Sequence, residues 1–154
     1  VCTEVIVSAN PTAKLTFGQP YNGSRPAKLR GWANYRPGVI DYCETDKVKN
    51  GDTDQGQVYV ALTSGNIYIN PGEAKYFDSN SSTVLAFGEI VWTGNFAEDG
   101  QLQQFEINIE YKNEAKNIKP SHIIIQATAS RYADYFTGST SSVLYLDDLE
   151  LVYE

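Results

Sequence analysis

The chain has 154 residues, 42% of them hydrophobic and 12% aromatic, which is enough to bury a core without metals or multiple disulfides. Its formal net charge of -7 argues against nucleic acid and against an anionic membrane surface, because phosphate binding needs clustered Lys and Arg. No run of about 18 apolar residues exists to span a bilayer, and the moderate charge with 11 Tyr excludes a disordered tail or a coiled coil.

The sequence contains no Met and shows no signal peptide, which reads as a processed chain or as a piece of a longer exported protein. Residues 1–154 read as one domain, without an internal repeat. The two cysteines, Cys2 and Cys43, allow one intramolecular disulfide. It would close a loop of about 40 residues and contribute about 3 to 4 kcal/mol in the chain-entropy model. The alternative is two unpaired thiols, and neither cysteine has the His neighbours of a zinc site.

Taken in order, the segments are strand-like and separated by turn chemistry. Residues 3–7 alternate, Asn10-Pro11 breaks them, and residues 14–17 form a short strand ended by Gly18 and Pro20. Residues 27–36 alternate clearly: Ala27, Leu29, Gly31, Ala33 and Tyr35 on one side, with Lys28, Arg30, Trp32, Asn34 and Arg36 on the other. Residues 41–57 are polar and read as a long surface loop carrying Asp46, Asp52 and Asp54. Residues 57–63 place Val58, Val60 and Leu62 inward and Tyr59 outward. Residues 83–93 are apolar on both parities, as in a central strand covered on both faces or one that switches face at Gly88. Phe105, Ile107, Ile109 and Tyr111 oppose Glu106, Asn108 and Glu110 in a half-buried strand. Residues 112–119 add a loop or one helical turn. In residues 122–129 the pattern predicts Ile123, Ile125, Ala127 and Ala129 inward, and His122, Ile124, Gln126 and Thr128 outward.

The final strand, residues 143–153, changes phase midway. Leu144 and Leu146 share one parity while Leu149, Leu151 and Tyr153 share the other, so either a bulge sits near Asp147-Asp148 or an Asp points inward. About eight to ten short strands with almost no helix make an all-β sandwich, for which a jelly roll is the natural closed-edge solution.

Two blocks, FGQPYNGSRPAKLRGWANYRPG at residues 17–38 and DYFTGSTSSVLYLDDLELVY at residues 134–153, carry a family likeness. Together with the strands between them they resemble the putative carbohydrate metabolism domain of Bacteroidetes surface proteins, over residues 14–154. The resemblance implies a jelly roll similar to galactose-binding domains and carbohydrate-binding modules, preceded by a linked N-terminal domain. It implies export to the bacterial surface, periplasm or medium, and no established catalytic residues.

Several residues are candidates for chemistry. Trp32 lies on the polar parity of its strand among Arg30, Asn34 and Arg36, an aromatic face beside hydrogen-bonding groups of the kind that suits a sugar. The alternative is a Trp covered by a neighbouring loop. If the outward faces of three strands form one surface, Arg30, Trp32, Asn34, Glu106, Asn108, His122 and Gln126 line it, with Tyr59 a further candidate. The aromatic loop of Arg131, Tyr132, Asp134, Tyr135 and Phe136 either cradles a ligand or plugs the core, and packing is the favoured reading. Asp147 and Asp148 are weak candidates for a structural calcium, which needs six to eight oxygens; no other cofactor is expected.

The sequence reading is therefore a non-catalytic module that binds a polysaccharide or oligosaccharide. Two alternatives stay open. A glycoside hydrolase would need two facing carboxylates, and Glu89, Glu106 and Glu110 are available, though nothing pairs them. A structural or adhesin module would present an edge strand or apolar patch to a protein partner. With one His, His122, and no nucleophile elbow, Ser or Cys triads have no support.

Overall fold

A computed structural model describes residues 15–153. Strand content is 47%, helices of seven residues or more are absent from the described residues, and the sheets are antiparallel, as in a β-sandwich. The ten strands are β1 (Leu15–Phe17), β2 (Gln19–Pro20), β3 (Lys28–Arg36), β4 (Gly56–Thr63), β5 (Ile67–Ile69), β6 (Val84–Trp92), β7 (Gln103–Asn108), β8 (Glu110–Tyr111), β9 (His122–Thr128) and β10 (Val143–Val152). They form a ribbon β1-β5, a three-stranded sheet β10-β3-β7 and a five-stranded sheet β2-β9-β4-β6-β8. The strand expected at residues 3–7 lies outside the described residues.

The chain groups into two compact units, with β4, β6 and β9 contributing residues to both. The first takes the chain up to Arg25 with Ala61–Phe87 and Glu110–Ile124. Its core is aliphatic, with Leu62, Ile69, Val84, Leu85 and Ile124 buried. The β1-β5 register pairs Leu15 with Ile69 and Phe17 with Ile67. A single 3-10 turn at Asn113–Ala115 occupies the stretch expected as a loop or helical turn. Arg25 fastens that turn, donating to the Ala115 carbonyl at 2.5 Å and the Ile118 carbonyl at 3.0 Å while lying over the Tyr111 ring.

The second unit comprises Pro26–Val60, Gly88–Ile109 and the chain from Ile125. Here the β3 alternation translates directly into packing, with Leu29, Gly31, Ala33 and Tyr35 all buried. Tyr35 stacks on Trp92 of β6 at 6.2 Å between ring centroids, and Trp92 meets Phe105 of β7 edge-on at 5.5 Å. Edge-to-face and offset pairs of this kind contribute about 0.5 to 1.5 kcal/mol each beyond the area they bury. These rings join the β10-β3-β7 sheet to β6, so within this unit two sheets face one another across an aromatic core.

Three sequence expectations are corrected. Residues 105–111 are not one strand, because β7 pairs with β3 while β8 pairs with β6, and Ile109 between them donates its N–H to the Ala27 carbonyl. In β9 the phase is opposite to the predicted one: Ile124 is buried while Ile125 and Ala127 are exposed. Three successive isoleucines supply both faces, and the small Ala127 and Ala129 tipped the count the wrong way. In β4, Tyr59 is buried beside Val58 and Val60. An interior strand flanked by β9 and β6 is covered on both faces, so outward parity there does not mean solvent.

Cys43 is a free, half-buried thiol whose Sγ donates to the carbonyls of Thr45 and Val48, each at 3.3 Å. Cys2, the other half of the expected bridge, lies outside the described residues.

Candidate functional site

The outer face of the β10-β3-β7 sheet gathers most of the expected polar residues. On β3 the even positions Lys28, Arg30, Trp32, Asn34 and Arg36 lie opposite the buried odd ones. The register sets Trp32 between Asp147 of β10 and Gln104 of β7. Arg30 lies between Glu150 and Glu106, and Asn34 lies opposite Tyr145. Trp32 is 40% exposed and Tyr145 61%, so both present ring surface to solvent and neither is capped by a loop. The same alternation that exposes Trp32 also exposes Tyr145, since Leu144 and Leu146 take the inward positions; the sequence held that signal.

The charges on this face are largely mutual. Arg30 donates through Nε to Glu150 Oε1 at 2.5 Å, its Nη2 pairs with the same oxygen and its Nη1 approaches Glu106 at 3.8 Å, while Lys28 reaches Glu106 at 3.0 Å. All of these side chains are substantially exposed, so the pairs hold geometry more than they add stability. Arg36 donates to the Phe96 and Ala97 carbonyls and pairs with Asp99 at 3.6 Å. Asn34 is buried, and its amide donates to the carbonyls of Glu98 at 2.8 Å and Gln101 at 2.5 Å. Its Nδ2 donors are therefore committed to the turn at residues 98–101. Asn34 shapes the site and its amide nitrogen is not offered to a ligand.

At Asp147-Asp148 the register with β3 shifts, and Asp148 adopts a left-handed φ of 49°. This is the bulge that the phase change announced. The next side chain, Leu149, sits where a Cβ on Gly31 would be, 2.6 Å from its Cδ2, so the glycine makes room for the bulge. Both carboxylates project from the bulge into solvent, and the Asp148 N–H donates to Asp147 Oδ1 at 2.9 Å.

Two depressions flank Trp32. The smaller, about 330 Å³, lies between Arg30, Trp32, Gln104 and the bulge residues Asp148 to Glu150. The larger, about 510 Å³, lies between residues 143–147 of β10 and the turn at residues 99–102, with Asn34 and Arg36 on its floor. Leu102, Val143 and Tyr145 give it exposed apolar surface.

The remaining expected residues separate from this face. Glu106 and Asn108 are on it, opposite Arg30 and Lys28. His122 and Gln126 are not, because β9 belongs to the five-stranded sheet and they share the parity of buried Ile124. His122 Nδ1 is 2.8 Å from the Ser121 hydroxyl. Tyr59 is buried, and burial together with the negative charge of Asp134 pushes its phenol far above the usual range. Asp134 in turn is raised by its own burial. The aromatic loop folds as a 3-10 turn at Ala133–Tyr135, with Tyr132 and Tyr135 edge to face at 6.4 Å. Asp147 and Asp148 supply two carboxylates, and no group of three or more His, Cys, Asp or Glu side chains able to hold a metal occurs among the described residues. The calcium expectation finds no ligand set there, since calcium takes six to eight oxygens.

The profile of the Putative carbohydrate metabolism domain family matches residues 3–152, nearly the whole chain. The chain belongs to this family. Two solved structures share the fold with it. One is a putative glycoside hydrolase from Bacteroides thetaiotaomicron, 20% identical, with a TM-score of 0.61, covering 94% of this chain and 48% of that one. The other is a putative glycoside hydrolase from Bacteroides vulgatus, 21% identical, with a TM-score of 0.61, covering 94% of this chain and 65% of that one. The chain thus spans about half to two thirds of the length of these relatives. No curated protein matches it. Among the described residues no helix is long and apolar enough to cross a membrane.

Proposed function

We propose that this putative carbohydrate metabolism domain is a non-catalytic glycan-binding module of an exported bacterial protein, and that it binds saccharide on the outer face of the β10-β3-β7 sheet. The observation that carries the reading is the exposed Trp32 ring set between Asp147 and Gln104. A sugar lays its C–H face on an indole while its hydroxyls donate to carboxylates and exchange hydrogen bonds with amides, and both partners stand beside this ring. Arg30, held by Glu150 and Glu106, adds a fixed donor at the same edge. Family membership supports a carbohydrate as the partner.

The test is a glycan array with wild type and Trp32→Ala, each in calcium and in chelator, with reducing-sugar release followed on every glycan bound. Saccharide binding that weakens at least tenfold in Trp32→Ala, unaffected by chelator and without hydrolysis, is the expected result. Binding that persists in Trp32→Ala removes the site, and released reducing sugar removes the non-catalytic assignment.

A further inference from the structure

Resting on the glycan-binding reading, we infer that the ligand is a neutral, linear oligosaccharide long enough to enter both depressions, lying along β3 with Trp32 at its waist. The first argument is length. From Arg30 to Arg36 the outer face of β3 runs about 20 Å at the rise of an antiparallel strand, which accommodates several hexose units end to end and far exceeds one. Trp32 stands within that run, the smaller depression beginning at Arg30 and the larger at Asn34 and Arg36. Each depression also carries its own apolar surface: the indole and Leu149 in one, Tyr145, Val143 and Leu102 in the other.

The second argument is charge. On the stretch around Trp32 two cations, Lys28 and Arg30, stand against four carboxylates, Glu106, Asp147, Asp148 and Glu150. Both cations are engaged by Glu106 and Glu150. Asp147 and Asp148 carry no ion pair among the described residues, and the bulge delivers one to each depression. Arg36, in the larger depression, is matched by Asp99. A uronate or sulfate ester would therefore meet uncompensated negative charge at both ends, on a chain whose net charge is already -7. A neutral glycan meets no such repulsion, and the free carboxylates of Asp147 and Asp148 accept from its hydroxyls in charge-assisted hydrogen bonds, which are the stronger kind.

The experiment is calorimetric titration of cello-, xylo- and laminari-oligosaccharides of two to six units, with oligogalacturonides of the same lengths as the anionic series. In a bound neutral series, affinity is expected to rise at least tenfold from dimer to tetramer, and Tyr145→Ala is expected to remove most of that gain. Oligogalacturonides are expected at least tenfold weaker than the neutral series at low salt, the gap narrowing with added salt and in Asp147→Asn/Asp148→Asn. All three substituted residues are exposed, and thermal unfolding of each variant checks that the fold is retained. A flat length series, or oligogalacturonides binding as tightly as neutral chains, overturns the inference while leaving glycan binding intact. Absence of binding to every saccharide overturns the reading on which it rests.

Discussion

Asp54 sits in the polar stretch that the sequence presents as surface loop, yet it is 1% exposed. Its Oδ2 accepts from the hydroxyls of Ser130 at 2.6 Å and Ser142 at 2.8 Å and from the Ser139 N–H at 3.0 Å, while Oδ1 accepts from the Gln55 N–H at 2.8 Å. An ionised carboxylate can be buried without a cation when its lone pairs are filled in this way. The carboxylate thus ties the loop leading into β10 to the segment leading into β4. Asp54→Ala strands two hydroxyls and two backbone N–H groups, and is expected to lower stability by roughly 3 to 5 kcal/mol, with Asp54→Asn intermediate. Urea unfolding of the three proteins checks this, and an Ala variant within 1 kcal/mol of wild type would refute the clamp. Nothing in the sequence announced the role, because three of the four donors lie 76 to 88 positions away. The parity of Trp32 was legible for the opposite reason, since its immediate neighbours Gly31 and Ala33 mark the inward side, but whether a loop covers the ring was not, and only the structure shows it 40% exposed.

Strand identity was more legible than strand environment. The local change of phase in β10 limited the reading to a bulge or an inward Asp, because Leu144 and Leu146 cannot share a face with Leu151 unless a residue is inserted, and the shifted register decides for the bulge. Sheet membership could not be read that way. The run from Phe105 to Tyr111 alternates without a break, and only the pairing of β7 with β3 and β8 with β6 shows that the chain changes sheets at Ile109. Gly88 in β6 serves this crossing, since a Cβ there would run into the Asn108 carbonyl oxygen and the Ile107 side chain at 2.8 Å. A backbone oxygen cannot yield as a flexible side chain does. Gly88→Ala is accordingly expected to destabilise by about 1 to 3 kcal/mol. Gly94→Ala, whose added carbon meets nothing within 4 Å, is expected within about 0.5 kcal/mol of wild type. Denaturant midpoints of the two variants decide the matter, and equal midpoints would show that β6 shifts freely at the crossing.

For the molecule as a whole, the succession of short alternating segments gave the all-β class, but not which tyrosines are buried. Tyr35 and Tyr59 bury their phenols in the second unit. Burial, with a contribution from Asp54, pushes Tyr35 up to about 12, although the Ser142 hydroxyl pulls it the other way. Its hydroxyl donates to the Ala129 carbonyl at 2.9 Å, which the phenolate could not do. Tyr59 is raised further still, by burial first and Asp134 second. In both cases the folded state holds the proton more tightly than the unfolded chain, whose tyrosines titrate near 10. The sign follows directly. This contribution to stability is complete below pH 10 and is lost as pH rises from 10 toward the folded values, because the unfolded state releases protons that the folded state retains. Each tyrosine contributes a slope on the order of 1.4 kcal/mol per pH unit across that window. The growing negative charge of the whole chain adds repulsion of its own, so the comparison that isolates the tyrosines is with Tyr59→Phe. Urea unfolding from pH 8 to 12 is expected to show a plateau, then a decline whose slope in Tyr59→Phe is shallower than in wild type by about one tyrosine's share. Parallel declines in the two proteins would mean that Tyr59 ionises as readily in the folded chain as in the unfolded one, and that its burial carries no electrostatic cost.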